Sequence, residues 1–245
     1  MWFEPIRFSL TSTALPKTPS GRRVDVVALN LTLPVNCAGK PCRNLWDKIR
    51  HAWAWVVAND RDRADWFVKT DSDTFLWPSN LRHLVATRGW DSDDPHYFGH
   101  VLRHSDGNPM VAGSSTVLSA EALRRFVRAL DSVDCLLRPG VEEPPLAPCL
   151  RSVGVYASDA FDDDGKETFM VFDVGYHLSM PVGDWWYFKN TPQTHWGEDC
   201  CSSSPSAFHY LSPQKMRDVF RFLQSADATG LTSLEQRYLR HVNPP

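Results

Sequence analysis

The chain has 245 residues, 42% of them hydrophobic and 22% charged, which is enough for one sizeable α/β core and short of two comfortable domains. Its 26 basic and 29 acidic residues leave a formal net charge of −3, so no overall field draws it to polyphosphate, and nucleic acid is not an expected partner. The 10 Trp, 13 Phe and 6 Tyr can fill a core or line a sugar-binding groove, and composition alone does not separate the two.

In chain order, Met1 to Leu10 alternates apolar with charged or polar residues, and no apolar run approaches the ~20 residues that span a bilayer. Ile6 to Thr11 and Val24 to Leu31 read as short strands on either side of a Pro/Ser/Gly-rich turn. Leu45, Ile49, Ala52, Trp53 and Val56 fall at helical spacing, and the charged segment Asn59 to Arg63 closes that helix. Trp66 to Lys69 is a strand that ends abruptly in Asp71-Ser72-Asp73, and Tyr97 to His100 is another. Ser119 is a natural N-cap for a helix whose apolar face is Leu123, Phe126, Val127 and Leu130, with Glu121 suited to the first-turn dipole. Pro139 to Pro148 reads as a loop, too rich in proline for a regular element, and carries Glu142-Glu143. Ser212 caps a last helix with Pro213 in its first turn and Met216, Val219, Phe220 and Leu223 as its buried stripe. With no repeat and no linker, residues 1–245 read as a single domain: an α/β sheet with helices on both faces.

Strand ends are where open α/β sheets present ligands. Two carboxylates flanking one residue can grip a hard divalent cation, which in turn neutralises a diphosphate. The pattern is common here, since Asp60/Asp62, Asp91/Asp93 and Asp162/Asp164 share it. Only Asp71 and Asp73 follow directly on an apolar strand, where open α/β sheets present ligands. Asp91 and Asp93 fit a solvated turn. The 6 cysteines and the sequon Asn30-Leu31-Thr32 suit an oxidising compartment, and equally free thiols with a chance sequon. Trp46, Trp53, Trp55, Trp66 and Trp77 lie on helix or strand patterns and are expected in the core.

The segment Asp65 to Phe75, continuing into Asn80-Leu81, resembles the metal-motif strand of the core 1 β-1,3-galactosyltransferases, a branch of the inverting β-1,3-glycosyltransferases of the fringe-like type. Tyr97-Phe98-Gly99, the helix from Val117 to Val127, Gly165-Lys166-Glu167-Thr168-Phe169, and Cys200-Cys201 with Phe208-His209-Tyr210 are similar to further family elements in family order. The resemblance covers most of residues 45–225. It implies a GT-A nucleotide-sugar transferase fold, a Rossmann-like mixed sheet flanked by helices. It also implies Mn²⁺ (or Mg²⁺) held by Asp71, Asp73 and His209, UDP-galactose as donor, and a GalNAc-Ser/Thr glycoprotein as acceptor.

By the same resemblance Glu143 stands at the position of the catalytic base, where the family carries Asp; Glu keeps the carboxylate and extends it by one methylene. Asp71 and Gly113 are expected at the donor, the latter in a stretch, Val111 to Thr116, that retains one glycine of the family's Gly-rich loop. Trp185, Trp186, Tyr187 and Asn190 are expected at the acceptor. Cys135 with Cys149 and the pair Cys200-Cys201 are expected disulfide members, while Cys37 and Cys42 can close a small loop; the connectivity stays open. Family members are single-pass type II proteins of the Golgi lumen, and homodimers are compatible with the resemblance. The chain starts at what looks like the second strand of the fold, without counterparts of the anchor or first strand, so the domain is expected to be N-terminally incomplete. Two rival expectations are a catalytically inactive homologue that partners an active transferase, and a fringe-type β-1,3-N-acetylglucosaminyltransferase.

Overall fold

The structure, a computed structural model, describes residues 6–9, 25–28, 45–60, 64–103, 107–132, 135, 143–179, 189–191, 195 and 197–225. Its elements in chain order are β1 (Ile6–Ser9), β2 (Asp25–Ala28), α1 (Leu45–Asp60), β3 (Trp66–Thr70), β4 (Phe75–Leu76), α2 (Pro78–Thr87), β5 (Tyr97–Arg103), β6 (Pro109–Ser119), α3 (Ala120–Ala129), α4 (Glu143–Arg151), β7 (Ala157–Ser158), β8 (Phe169–Met170), α5 (Val174–Ser179), β9 (Ala207–Phe208) and α6 (Pro213–Ser225).

Trp66-Phe67-Val68, Tyr97-Phe98 and Val117-Leu118 are unbroken apolar runs because their sheet is covered on both sides. The strand order is β3-β6-β5-β7; β6 runs antiparallel to both β3 and β5, and β7 runs parallel to β5. Registers Phe67↔Leu118↔Tyr97 and Val68↔Val117↔Phe98 sort alternate residues to opposite faces. Phe67, Tyr97 and Leu118 join Trp46, Trp53, Leu123, Phe126 and Leu150 in the core under α1, α3 and α4. Phe98 and Val117 join Leu81, Leu84, Phe169 and Ala207 in the core under α2 and the small sheet. That small sheet has the order β4-β9-β8, and β1 pairs parallel with β2.

The expected elements are present with small shifts at their ends, and Trp46 and Trp53 are buried. Trp55, Trp66 and Trp77 pack partly buried against the clusters. Ser119 caps α3 as its residue type predicts: Oγ accepts from the Ala122 amide at 3.1 Å and donates to the Asp94 carbonyl at 2.6 Å. The Ser212 Oγ likewise accepts from the Lys215 amide at 3.2 Å. Among the described residues, no helix is long and apolar enough to cross a membrane.

One expectation is corrected. Residues 143–151 form helix α4 rather than a loop. Pro144 and Pro145 fall in its first turn, where an amide proton has no intrahelical acceptor, so only Pro148 removes a helical hydrogen bond. Burial of Leu146, Ala147, Cys149 and Leu150 offsets that loss, and the Cys135–Cys149 disulfide, with Cα atoms 4.8 Å apart, ties the helix to the segment after α3.

Candidate functional site

The site is assembled by the pairing of two very short strands. In the antiparallel β4–β9 pair Phe75 faces Phe208 and Leu76 faces Ala207, so the residues before β4 and after β9 must meet. The preceding turn is closed by the Thr74 amide donating to the Asp71 carbonyl at 3.1 Å, and the Leu211 amide donates to the Asp73 carbonyl at 3.0 Å. Behind them, the Asn80 Nδ2 donates to the Pro205 carbonyl at 2.8 Å in a buried position, and the Trp77 amide donates to the Ser206 carbonyl at 2.8 Å. Helix α2 and its N-cap thus grip the segment that leads through β9 into His209.

Asp71, Asp73 and His209 come together: one ligand atom from each lies within 4.8 Å of the others. His209 Nε2 stands 3.3 Å from Asp73 Oδ1 and 3.7 Å from Asp71 Oδ2. The imidazole is buried while both carboxylates are partly exposed, so the cluster opens to solvent on its acidic side. Two carboxylate oxygens and one imidazole nitrogen form a donor set that can hold a divalent cation. Lys69 Nζ lies 3.0 Å from Asp71 Oδ1 and balances part of the negative charge. Burial pushes the Lys48 ammonium down, the charge of Lys69 adds to the effect, and Asp71 opposes it, so Lys48 of α1 belongs to the same electrostatic neighbourhood. Neither lysine stood out in the sequence, although Lys69 is the one charge on an otherwise apolar strand.

The other Asp pairs do other work. The Asp91 carboxylate accepts from the Asp93 amide at 3.0 Å, and the Asp162 carboxylate from the Asp164 and Lys166 amides at 3.0 and 2.8 Å, each closing its own turn. The side chains of Asp60 and Asp62 lie outside the described residues.

Gly113 sits in β6 at φ +86°, and a Cβ there would lie 2.6 Å from Val171 Cγ2, so close packing alone demands glycine. Glu143 is the first residue of α4; its side chain lies outside the described residues, as do Trp185, Trp186, Tyr187, Cys37, Cys42 and the sequon at Asn30. Asn190 is described and half-buried. Cys200 and Cys201 are bonded to each other, and Glu167 is bridged to this pair: its amide donates to the Cys200 carbonyl at 3.3 Å, and its carbonyl accepts from the Ser202 amide at 2.9 Å.

Sequence reasoning missed a buried polar cluster and a strained residue. His100 Nδ1 lies 3.1 Å from Glu167 Oε2 with both side chains buried. His177 is buried beside them; desolvation first, and the charge of His100 second, push its pKa down to about 3. In this neutral form His177 Nε2 accepts from the Phe172 amide at 3.2 Å. The glutamate of Lys166-Glu167-Thr168 was the signal available, because a buried carboxylate needs a partner. Tyr210 is the other: among the described non-glycine residues it alone has positive φ, at 54°.

A mixed α/β sheet flanked by helices, with an acidic pair at a strand end, defines the GT-A-like class of fold. No family model matches the chain. Over 191 residues, 76% of this chain, it is 32% identical to the glycoprotein-N-acetylgalactosamine 3-beta-galactosyltransferase 1 of Xenopus laevis, of which that segment is 52%. It is also 29% identical over 101 residues, 40% of this chain and 20% of the relative, to a beta-1,3-glucosyltransferase of Mus musculus. This similarity supports a place for the chain among the core 1 β-1,3-galactosyltransferases. It spans about half the length of the first of these relatives and a fifth of the second.

Proposed function

We propose that this chain carries the transferase domain of a metal-dependent, inverting glycosyltransferase that moves galactose from UDP-galactose to O3 of GalNAc linked to Ser or Thr. The observation that carries the reading is the meeting of Asp71, Asp73 and His209 at the end of β3, in a chain with this similarity. These three side chains would hold Mn²⁺ or Mg²⁺, which supplies charge neutralisation to the diphosphate leaving group. Lys69 holds one Asp71 oxygen in place. Gly113 is assigned to the donor side.

Glu143 is assigned as base. Its carboxylate takes the proton of the acceptor O3 hydroxyl as that oxygen bonds to galactose C1. The C1–O bond to the β-phosphate breaks on the opposite face, and UDP leaves with the electron pair, which inverts the anomeric centre. Trp185, Trp186, Tyr187 and Asn190 are assigned to the acceptor, and the setting to the Golgi lumen. Incubating the protein with UDP-galactose, Mn²⁺ and a GalNAc-peptide should yield a β-1,3-linked galactose that disappears with EDTA. Absence of product together with capture of an active transferase would replace this reading with that of an inactive partner.

A further inference from the structure

We propose that Tyr210, backed by Phe172, is a stacking platform for the apolar C–H face of a pyranose ring bound beside the Asp71/Asp73/His209 cluster. The proposal rests on the reading of that cluster given above and adds to it the residue that grips the sugar.

Three observations converge on Tyr210. Its backbone occupies the left-handed region at φ 54°, which a bulky side chain adopts only when its surroundings impose it, and such residues gather at functional sites. Its side chain is spent on no core: the residue is 59% exposed, whereas His209 and Leu211 on either side are buried. Its ring is nonetheless fixed in orientation, parallel to the His209 imidazole with centroids 4.0 Å apart and 15° between planes, and parallel to Phe172 at 5.8 Å and 21°. Phe172 is anchored in turn through its amide to His177 and packs against Tyr176, itself 43% exposed, with ring centroids 4.8 Å apart. An exposed aromatic ring, fixed in orientation against a candidate metal ligand, offers the surface that His209 and Phe172 leave uncovered to the hydrogen-lined face of a sugar.

The ring is assigned to the sugar and not to the nucleobase. In a sugar nucleotide whose diphosphate meets the metal, the base stands beyond the α-phosphate and the ribose, while the hexose hangs directly from the β-phosphate and the acceptor approaches that hexose. A ring stacked on His209 lies beside the candidate metal position, within reach of a hexose held there, and the uracil arm of the test below checks the nucleoside end. Donor galactose and acceptor GalNAc offer the same C–H face, and the test separates them.

Saturation-transfer NMR reads ligand protons close to the protein without requiring turnover, using UDP-galactose against UDP, and benzyl α-GalNAc in the presence of UDP and Mn²⁺. Tyr210→Gly removes the ring and relieves the positive φ, so thermal stability is expected to hold, while Tyr210→Phe keeps the face. The wild type and Tyr210→Phe should saturate the hexose protons of one of the two ligands. In Tyr210→Gly that signal should vanish and affinity for that ligand should fall about tenfold. Loss confined to galactose assigns the donor, and loss confined to GalNAc assigns the acceptor. Unchanged hexose saturation in Tyr210→Gly, a signal that vanishes only from the uracil protons, or no hexose saturation in the wild type would each overturn the platform. Galactose transfer that persists with unchanged hexose saturation overturns the platform alone; hexose saturation that depends on Tyr210 without any transfer overturns only the proposed reaction.

Discussion

The amide of Leu211 donates to the carbonyl oxygen of Asp73 at 3.0 Å, which locks the turn that follows β3 to the segment that follows β9. His209 stands more than 130 positions after Asp71 and Asp73 in the chain, and this bond, with the two-residue β4–β9 pair, sets their spacing. The site is therefore as rigid as the grip on β9. Asn80, buried and bonded to the Pro205 carbonyl, is the testable part of that grip.

Asn80→Ala leaves a buried carbonyl unsatisfied, which should cost about 1–3 kcal/mol in denaturant unfolding. Mn²⁺ affinity, measured by calorimetry in the presence of UDP, should fall as well, because His209 loses its support. A variant with lowered stability and unchanged metal affinity would separate the clamp from the site.

Gly113 makes a purely steric prediction. Gly113→Ala drives a methyl group into Val171 and strains a backbone at φ +86°, so about 1–3 kcal/mol of stability should be lost. Combining it with Val171→Ala should recover the steric part, so the double variant should be more stable than the sum of the single effects predicts. Strict additivity in the unfolding free energies would contradict the contact.

The pH dependence of stability follows from His177. Its pKa falls from the ordinary 6.5 to about 3 on folding, so between those values the unfolded chain binds more protons than the folded one. The contribution of this group is therefore constant above pH 6.5 and is lost as the pH drops towards 3, at up to about 1.4 kcal/mol per pH unit. Urea unfolding at pH 7.5, 6 and 5 should show the decline, and His177→Gln should flatten it by about one proton. Parallel curves for the two proteins would show that His177 titrates normally in the fold.

The two described disulfides should behave differently. Cys135–Cys149 spans 14 positions, and its removal by paired Ala substitution should cost about 3 kcal/mol through the larger conformational entropy of the unfolded chain. Cys200–Cys201 joins neighbours and closes almost no loop, so its removal should change global stability far less. Because Glu167 and Ser202 pair around it just upstream of β9, removing it should instead weaken Mn²⁺–UDP binding. Equal losses of stability from the two pairs would contradict this division.

Much of the architecture could be read from local pattern, because Ser119, Ser212 and the stripes of α1 and α3 obey capping and periodicity rules, while the side chains of Phe220 and Leu223 in the α6 stripe lie outside the described residues. Asp71 and Asp73 stood out by their place after an apolar strand, and the family order of Phe208-His209-Tyr210 pointed to the third member. Helix α4 escaped because proline content masks a helix whose first turn tolerates proline and whose burial and disulfide are long-range. Glu167, His100 and His177 meet from three separate elements, a convergence that no spacing encodes. The left-handed backbone of Tyr210 is likewise set by its tertiary surroundings, the Leu211–Asp73 bond and the rings of His209 and Phe172, not by its residue type.

The most direct test of the central claim is a Mn²⁺ titration followed by electron paramagnetic resonance, in the presence of UDP, on the wild type and on Asp71→Ala/Asp73→Ala. The wild type should remove a single Mn²⁺ per chain from the free-ion signal, and the double variant should weaken that binding by about a hundredfold or more. Equal binding by both proteins, or none by the wild type, would contradict the assignment of Asp71, Asp73 and His209 as the metal-holding centre of a sugar-nucleotide transferase.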